Sequence, residues 1–262
     1  MIPKIIHYCW FGSKELPEEA LQCISSWKKF MPDYEIILWN ETNSPMNDAY
    51  MKKAFQEKKW ANLSNYTRLY ALTTMGGWYF DTDVEVLKTP DLTKFKESCF
   101  LCIETKPGDS RYIVNNAVIA TAANHPFIAQ CFNAIAEQFD GSELANLSSP
   151  ILTTNELKKI GFKGKPSVLG SVRILSNDFF YPSAWFETFK PTMATENTIC
   201  VHYNDISWLS ADGITTQDLI DLEKNHAKLK FEYRQYKSGN LSFYELLKLN
   251  VRVIKFKIKM RL

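Results

Sequence analysis

The chain has 262 residues, of which 45% are hydrophobic and 14% aromatic, and its formal net charge is +2. A chain of this size and apolar content can bury a substantial core, and its near-balanced charge argues against a dedicated nucleic-acid binder. No stretch is long and apolar enough for a transmembrane helix, and the first residues lack the apolar segment of a signal peptide, so we expect a cytoplasmic protein.

Helices and strands alternate in the first third of the chain. Hydrophobic periodicity predicts, in order, a strand over 4–9, a helix over 18–30, a strand over 36–39, helices over 48–55 and 64–75, and strands over 78–80 and 84–87. Ser64 is the predicted N-cap of the 64–75 helix, and Gly76 and Gly77 are predicted to end it. The alternation predicts an α/β fold with a mostly parallel central sheet flanked by helices, in which ligands bind beyond the carboxyl ends of the strands.

The remainder of the chain continues this pattern less regularly. It predicts strands over 99–103 and 117–121, a helix over 126–139, a helix and a turn over 150–165, a strand ending at His202 and a long helix over 217–237. We therefore expect a main domain over 1–215 and a helical extension over 216–262. All six cysteines are predicted to be reduced core residues, because the Cys-x-x-Cys at 99–102 has no second pair to complete a zinc site.

Two aspartates, Asp81 and Asp83, follow the predicted strand over 78–80. Side chains at i and i+2 of an extended segment point the same way, so this pair can hold one hard divalent cation such as Mg²⁺ or Mn²⁺. A solvated turn is the alternative. Upstream, Asn65 and Arg68 share one face of a helix, and Arg68 can pair with a phosphate or with one of the aspartates. A structural ion pair is the alternative for Arg68.

The stretch over 64–87 resembles the sugar-binding region of the DXD-containing glycosyltransferases of family 32, which includes capsular-polysaccharide enzymes and yeast mannosyltransferases. This family is distantly related to the glucosyltransferase domain of the large clostridial toxins. The opening over 2–12 is similar to the first strand and loop of the family, and weaker similarity continues at Ser149-Pro150. The family usually has aspartate where this chain has Asn65, and an amide can form hydrogen bonds but brings no charge.

The resemblance implies a GT-A-like catalytic domain that moves a sugar from a nucleotide-sugar, which we expect to be a UDP-sugar, to a saccharide acceptor in surface polysaccharide or glycolipid synthesis. It also implies retention of the anomeric configuration. A bound Mn²⁺ or Mg²⁺ would link Asp83 to the donor diphosphate. In this scheme Asp81 accepts a hydrogen bond from the ribose and contacts the metal indirectly, Arg68 offsets phosphate charge, and His202 completes the metal site.

Donor contacts are expected at several further positions. The resemblance places Trp10 against the base, where stacking contributes ~1–3 kcal/mol, although Trp10 could equally fill the core. Asn116 is expected to line the donor-sugar cleft, with a simple turn as the alternative. Ser207 is a competing oxygen ligand for the metal, and Trp208 is a candidate lid over the diphosphate. The complete set of predicted donor-binding residues is Tyr8, Trp10, Asn65, Arg68, Asp81, Asn116, Ser207 and Trp208.

The last 15 residues, 248–262, combine six cations with eight apolar side chains and contain no acidic residue. Each cation contributes ~1 kcal/mol near an anionic bilayer, so this segment is a candidate contact with the inner face of the membrane, where a lipid-linked acceptor would lie. A β-strand and a solvated tail are the alternatives. Two other functions remain open on the sequence: a metal-dependent nucleotide-sugar hydrolase or phosphotransferase, and a non-catalytic carbohydrate-binding protein.

Overall fold

The computed structural model describes residues 1–104, 113–184 and 187–203. Five α-helices lie in these ranges: α1 (Glu18–Phe30), α2 (Ala49–Gln56), α3 (Trp60–Thr74), α4 (Pro126–Gln138) and α5 (Leu152–Lys159). A short π-helix, Leu147–Ile151, leads directly into α5. The strands are β1 (Ile5–Cys9), β2 (Glu35–Trp39), β3 (Gly77–Phe80), β4 (Val84–Val86), β5 (Cys99–Ile103), β6 (Val114–Thr121), β7 (Ser167–Leu169), β8 (Val172–Leu175) and β9 (Cys200–His202).

The predicted α/β class is confirmed. Seven strands form one sheet in the order β2-β1-β3-β6-β5-β8-β7, and β4 and β9 form a separate antiparallel pair. Strand β1 runs parallel to both β2 and β3, and β5 runs parallel to β8, whereas β6 is antiparallel to β3 and β5. Because β1, β2 and β3 are parallel, their carboxyl ends share one edge of the sheet, where Trp10 and Asp81 follow directly.

Both faces of the sheet are buried. On one face, Trp27 of α1 is fully buried and packs on Phe80 of β3, and its indole Nε1 donates to the Val84 carbonyl at 2.7 Å. On the other face, Leu69 and Leu72 of α3 belong to a second hydrophobic cluster that also includes residues of α2, α4 and α5. The sheet and its two helical layers therefore hold the end of β3 from both sides.

Most of the predicted elements are confirmed, and α1 has the predicted bounds. The prediction that Ser64 caps a helix is wrong, because α3 begins four residues earlier, at Trp60. Asn62 and Leu63 are buried, so tertiary packing extends the helix beyond the point where local capping signals would begin it. The Ser64 hydroxyl instead donates to the Trp60 carbonyl within the helix, at 3.1 Å. Strands β7 and β8 were not predicted.

The predicted glycine stop after α3 is confirmed. Gly76 and Gly77 have φ of +65° and +104°, values that favour glycine. His7 in β1 fixes this turn: the indole of Trp39 donates to His7 Nδ1 at 3.0 Å, which leaves Nε2–H to donate to the Gly76 carbonyl at 2.8 Å. A Cβ on Gly76 would lie 2.3 Å from the backbone nitrogen of Ala123. The start of β3, and with it the position of Asp81, depends on this close approach.

We expect Gly76→Ala to lower the free energy of unfolding by roughly 2–5 kcal/mol, measured by urea denaturation, because it adds a backbone clash to the strain of a positive φ. Gly170→Ala is the matched control. Gly170 has a similar φ of +61°, but a Cβ there would meet no heavy atom within 4 Å. In the control, the free energy of unfolding should fall only by the ~1–2 kcal/mol that a side chain at positive φ costs. Equal losses in the two variants would contradict the proposed role of the close approach.

Candidate metal and donor site

The acidic pair lies in a tight turn between β3 and β4. The Asp81 amide donates to the Ala117 carbonyl of β6 at 2.9 Å, and the Val84 amide donates back to the Asp81 carbonyl at 3.1 Å. The predicted extended geometry is therefore wrong, and the turn held open as the alternative is present. The two carboxylates are nevertheless mostly shielded from solvent, since the side chains of Asp81 and Asp83 are 28% and 19% exposed.

Pairing of β4 with β9 brings His202 to this turn. Val84 lies opposite His202 in the antiparallel register, and the Tyr203 amide donates to the Asp83 carbonyl at 3.0 Å. His202 Nε2 lies 3.2 Å from Asp83 Oδ1. Asp81, Asp83 and His202 can each offer one ligand atom, and these atoms all lie within 4.8 Å of one another. The structure thus brings together the three residues predicted as metal ligands.

The carboxylate of Asp83 governs the protonation of His202 in this cluster. Burial disfavours the charged imidazole of His202, but the neighbouring Asp83 carboxylate outweighs that effect and raises the pKa of His202 to about 9. The imidazole therefore carries a proton at neutral pH, and a divalent cation would compete with that proton for Nε2. Two carboxylates and one imidazole can ligate a divalent cation, and one ligand atom from each residue leaves coordination positions for other oxygen ligands. The donor set fits a divalent cation.

Arg68 is buried in α3 beside this cluster. Its Nη2 donates to Asp81 Oδ1 at 2.7 Å, and the Tyr79 hydroxyl donates to the same oxygen at 3.0 Å. The guanidinium carbon lies 4.4 Å from the centre of the Tyr79 ring, and the Arg68 side chain is only 5% exposed. Arg68 thus forms the structural ion pair that was the alternative in the sequence analysis, and this pair restrains the orientation of Asp81.

Tyr8 in β1 and Trp10 just after it differ in exposure. Trp10 follows β1 and is partly exposed; its amide donates to the Trp39 carbonyl at 3.0 Å and its indole Nε1 donates to the Lys14 carbonyl at 2.7 Å. Neither hydrophobic cluster among the described residues includes Trp10. Tyr8 is buried within β1 and packs edge-on against Trp27, with ring centres 5.5 Å apart.

Two buried asparagines attach the segment around the π-helix to the rest of the domain. Asn65 Nδ2 donates to the Ala145 carbonyl at 2.8 Å, and Asn116 Nδ2 donates to Thr153 Oγ1 at 2.7 Å. Asn116 lies within β6, so the alternative of a turn at this position is wrong. Asn65 uses its amide as a donor, a role that the aspartate usual at this position could not fill.

Sequence reasoning assigned no role to Tyr79 or Ser149, although both contact the site through Arg68 or Asp81. The sequence signal near Ser149 was the weak family similarity at Ser149-Pro150. In the structure, Pro150 lies inside the π-helix. All six cysteines are free and buried, as predicted. The described residues do not include Ser207, Trp208, the predicted domain boundary at 215, the predicted helix over 217–237 or the basic segment over 248–262. Within the described ranges, no helix has the length and apolar character needed to cross a membrane.

Comparison with known proteins supports a glycosyltransferase. Residues 17–100, about a third of the chain, match the family model described as a glycosyltransferase sugar-binding region containing a DXD motif. This range includes Arg68, Asp81 and Asp83. The enzyme class predicted from the sequence is therefore supported, and the match falls on the part of the chain that carries the acidic turn.

Curated relatives are similar over part of their length. Lactosylceramide 4-alpha-galactosyltransferase of Mus musculus is 29% identical over 143 residues, which is 51% of this chain and 37% of the relative. The Homo sapiens protein of the same name is 29% identical over 127 residues, 47% of this chain and 33% of the relative. The chain thus spans about a third to a half of the length of the curated relatives it matches. Among solved structures, the PaToxG glycosyltransferase aligns with a TM-score of 0.47 and 20% identity, covering 60% of this chain and 69% of the other.

The contacts of Asn65 predict that an isosteric change will destabilise the domain. We expect Asn65→Asp to lower the free energy of unfolding by ~1–3 kcal/mol, measured by urea denaturation, because it removes a buried donor and sets a carboxylate against the Ala145 carbonyl. Asn155→Asp is the matched control, since Asn155 is exposed on α5 and its Oδ1 accepts from Lys158. The control should change stability by less than ~0.5 kcal/mol. An unchanged stability of Asn65→Asp would show that the donor is dispensable.

Proposed function

We propose that this protein is a metal-dependent glycosyltransferase that moves a sugar from a nucleotide-sugar to a saccharide acceptor. The observation that carries the proposal is the convergence of Asp81, Asp83 and His202 at the edge of the sheet, within 4.8 Å of one another. Two of these residues lie in the DXD region matched by the family model. A plain structural turn would not require a partly buried imidazole and a buried guanidinium around the same two carboxylates.

Four side chains have different proposed roles around the donor diphosphate. Asp83 and His202 would hold a Mn²⁺ or Mg²⁺, which when bound offsets diphosphate charge and stabilises the charge on the leaving nucleotide. Arg68 holds Asp81 through Oδ1, so that this carboxylate keeps one orientation toward the ribose and the metal. The guanidinium also adds a fixed positive charge close to the site, which reduces the repulsion between the carboxylates and an incoming diphosphate.

Trp10 is the proposed platform for the base of the donor. It follows β1 at the edge of the sheet where Asp81 follows β3, and its ring is partly exposed. The Lys14 carbonyl accepts from its indole nitrogen and thereby restrains the ring. A restrained, accessible indole is suited to stacking on a flat base. We expect the donor to be a UDP-sugar. Tyr8, Asn65, Asn116, Ser207 and Trp208 remain proposed donor contacts.

The names of the curated relatives support a saccharide acceptor on a lipid. Lactosylceramide 4-alpha-galactosyltransferase is named for a glycolipid acceptor and an α linkage. We propose that this chain acts on a glycolipid or surface-polysaccharide precursor with retention at the anomeric carbon. The cationic and apolar segment over 248–262 carries six of the cations, without which the formal charge of +2 would become −4. We propose that this segment contacts anionic lipid beside such an acceptor.

The metal requirement is tested with Asp83→Asn. The amide keeps the shape of the side chain, so the fold should persist, but it weakens a hard-cation site by removing one charge. We expect this variant to lose the rise in melting temperature that UDP-sugars and Mn²⁺ together produce in the unmodified protein, and to lose sugar transfer. Asp33→Asn, at a side chain that is 77% exposed, should retain both.

Other outcomes of the same experiment would contradict the proposal. Unchanged turnover in Asp83→Asn would overturn the metal-dependent mechanism. Release of free sugar at the full rate without any acceptor would indicate a nucleotide-sugar hydrolase. Glycan binding without metal, with no donor binding, would indicate a carbohydrate-binding protein. The screen should therefore include donor alone, donor with Mn²⁺, and saccharide alone.

The role of Trp10 is tested with a pair of substitutions. Trp10→Ala should weaken donor binding by ~1–3 kcal/mol, measured by isothermal titration calorimetry with a UDP-sugar and Mn²⁺, while the melting temperature stays nearly constant. Trp10→Phe keeps an aromatic face and loses only the bond to Lys14, so it should retain most of the affinity. If Trp10→Ala unfolds, or binds the donor with unchanged affinity, Trp10 has a structural role and does not stack on the base.

A further inference from the structure

A π-helical turn, Leu147–Ile151, lies beside the acidic cluster. Its wide register follows from Pro150, which has no amide hydrogen and whose ring would clash with the carbonyl four residues earlier, that of Asn146. The Ile151 amide instead donates to the Asn146 carbonyl at 3.1 Å, across five residues. Single π-helical turns of this kind occur frequently at functional sites.

The turn is held rigidly against α3. Asn65 donates to the Ala145 carbonyl at 2.8 Å and to Ser148 Oγ at 3.3 Å. The Tyr50 hydroxyl lies 3.3 Å from the same serine oxygen and donates to Glu143 at 2.5 Å. These contacts fix the backbone of the turn relative to the helix that carries Arg68.

Ser149 lies at the centre of the turn and contacts Arg68. Arg68 Nη1 donates to Ser149 Oγ at 3.0 Å, while Nη2 of the same guanidinium donates to Asp81 Oδ1 at 2.7 Å. The guanidinium is planar and rigid, so holding one nitrogen restricts the direction of the other. Ser149 is 6% exposed and the Arg68 side chain 5%, so water has little access to replace the hydroxyl.

We propose that Ser149 is a positioning residue: through Arg68 it sets the orientation of Asp81 and thereby the affinity of the Asp81–Asp83–His202 cluster for a divalent cation. This inference rests on the metal site of the proposed function. The π-helical turn has a specific part in it, because the turn presents the Ser149 hydroxyl to the guanidinium while Ser148 next to it faces Asn65 and Tyr50. Two adjacent buried serines therefore have separate partners.

The adjacent serines provide a matched pair of variants. Ser149→Ala removes the acceptor for Arg68, and Ser148→Ala removes a hydroxyl of the same size from the same turn without touching Arg68. Mn²⁺ binding to the protein without donor is measured by electron paramagnetic resonance, which reports the free ion. Removing a group that contacts a metal ligand directly typically changes metal affinity by ~10–100-fold. Ser149 contacts Asp81 only through Arg68, so its effect should be smaller. We therefore expect Ser149→Ala to weaken Mn²⁺ binding about 3- to 10-fold. Ser148→Ala should leave it unchanged.

Two further variants separate positioning from a general loss of stability. Ser149→Thr keeps a hydroxyl and should restore Mn²⁺ affinity to within about 2-fold of the unmodified protein. In an Arg68→Gln background, Ser149→Ala should have no additional effect, because its effect passes through the guanidinium. If Arg68→Gln does not fold, the comparison of Ala with Thr at position 149 decides the question.

The outcomes distinguish this inference from the proposed function. If the unmodified protein binds Mn²⁺ and Ser149→Ala binds it as tightly as Ser148→Ala does, the role of Ser149 is overturned and the metal-dependent function stands. The role is also overturned if Ser149→Thr is as weak as Ser149→Ala. If the unmodified protein does not bind Mn²⁺, the metal-dependent function fails and this inference fails with it.

Discussion

The ion pair between Arg68 and Asp81 is the interaction around which the site is organised. A guanidinium that is almost fully buried needs a partner, because an unpaired buried charge is strongly destabilising. Asp81 supplies that partner with one oxygen, and the Tyr79 hydroxyl donates to the same oxygen. The carboxylate that begins the acidic turn is therefore fixed by the requirements of the core, before any ligand is present, and the turn inherits that orientation.

The second constraint is the small antiparallel pair of β4 and β9. These strands are far apart along the chain, and their register places His202 opposite Val84, next to Asp83. The indole of Trp27 donates to the Val84 carbonyl, and the Ile199 amide donates to the Phe179 carbonyl, so both strands are tied to the main body of the domain. A short pair of strands is marginal alone, and these bonds stabilise its position.

Buried polar contacts beneath the site join α3 to the segment before α5, and β6 to the first turn of α5. Asn65 donates to the Ala145 carbonyl, Asn116 donates to the Thr153 hydroxyl, and Arg68 links Ser149 to the acidic turn. Hydrogen bonds between buried polar groups favour one arrangement, because each alternative leaves further donors or acceptors without a partner. In this domain they hold a proline-containing turn and the Asp81 carboxylate in a single geometry. The site is thus preorganised by groups that have no sequence signature of catalysis.

Several features of this protein are determined by local sequence. The order of helices and strands from β1 to α4 follows from hydrophobic periodicity, and the glycine stop after α3 follows from positive φ. The acidic pair is visible because Asp81 and Asp83 stand directly after an apolar strand. Local signals did not predict the start of α3, because burial of Asn62 and Leu63 extends the helix against the preference of Ser64 for a cap. They also could not show that a turn, rather than an extended strand, presents the two carboxylates. The meeting of His202 with Asp83 and of Ser149 with Arg68 was decided by tertiary structure alone, since strand register and buried hydrogen bonds join residues whose separation along the chain carries no periodic signal.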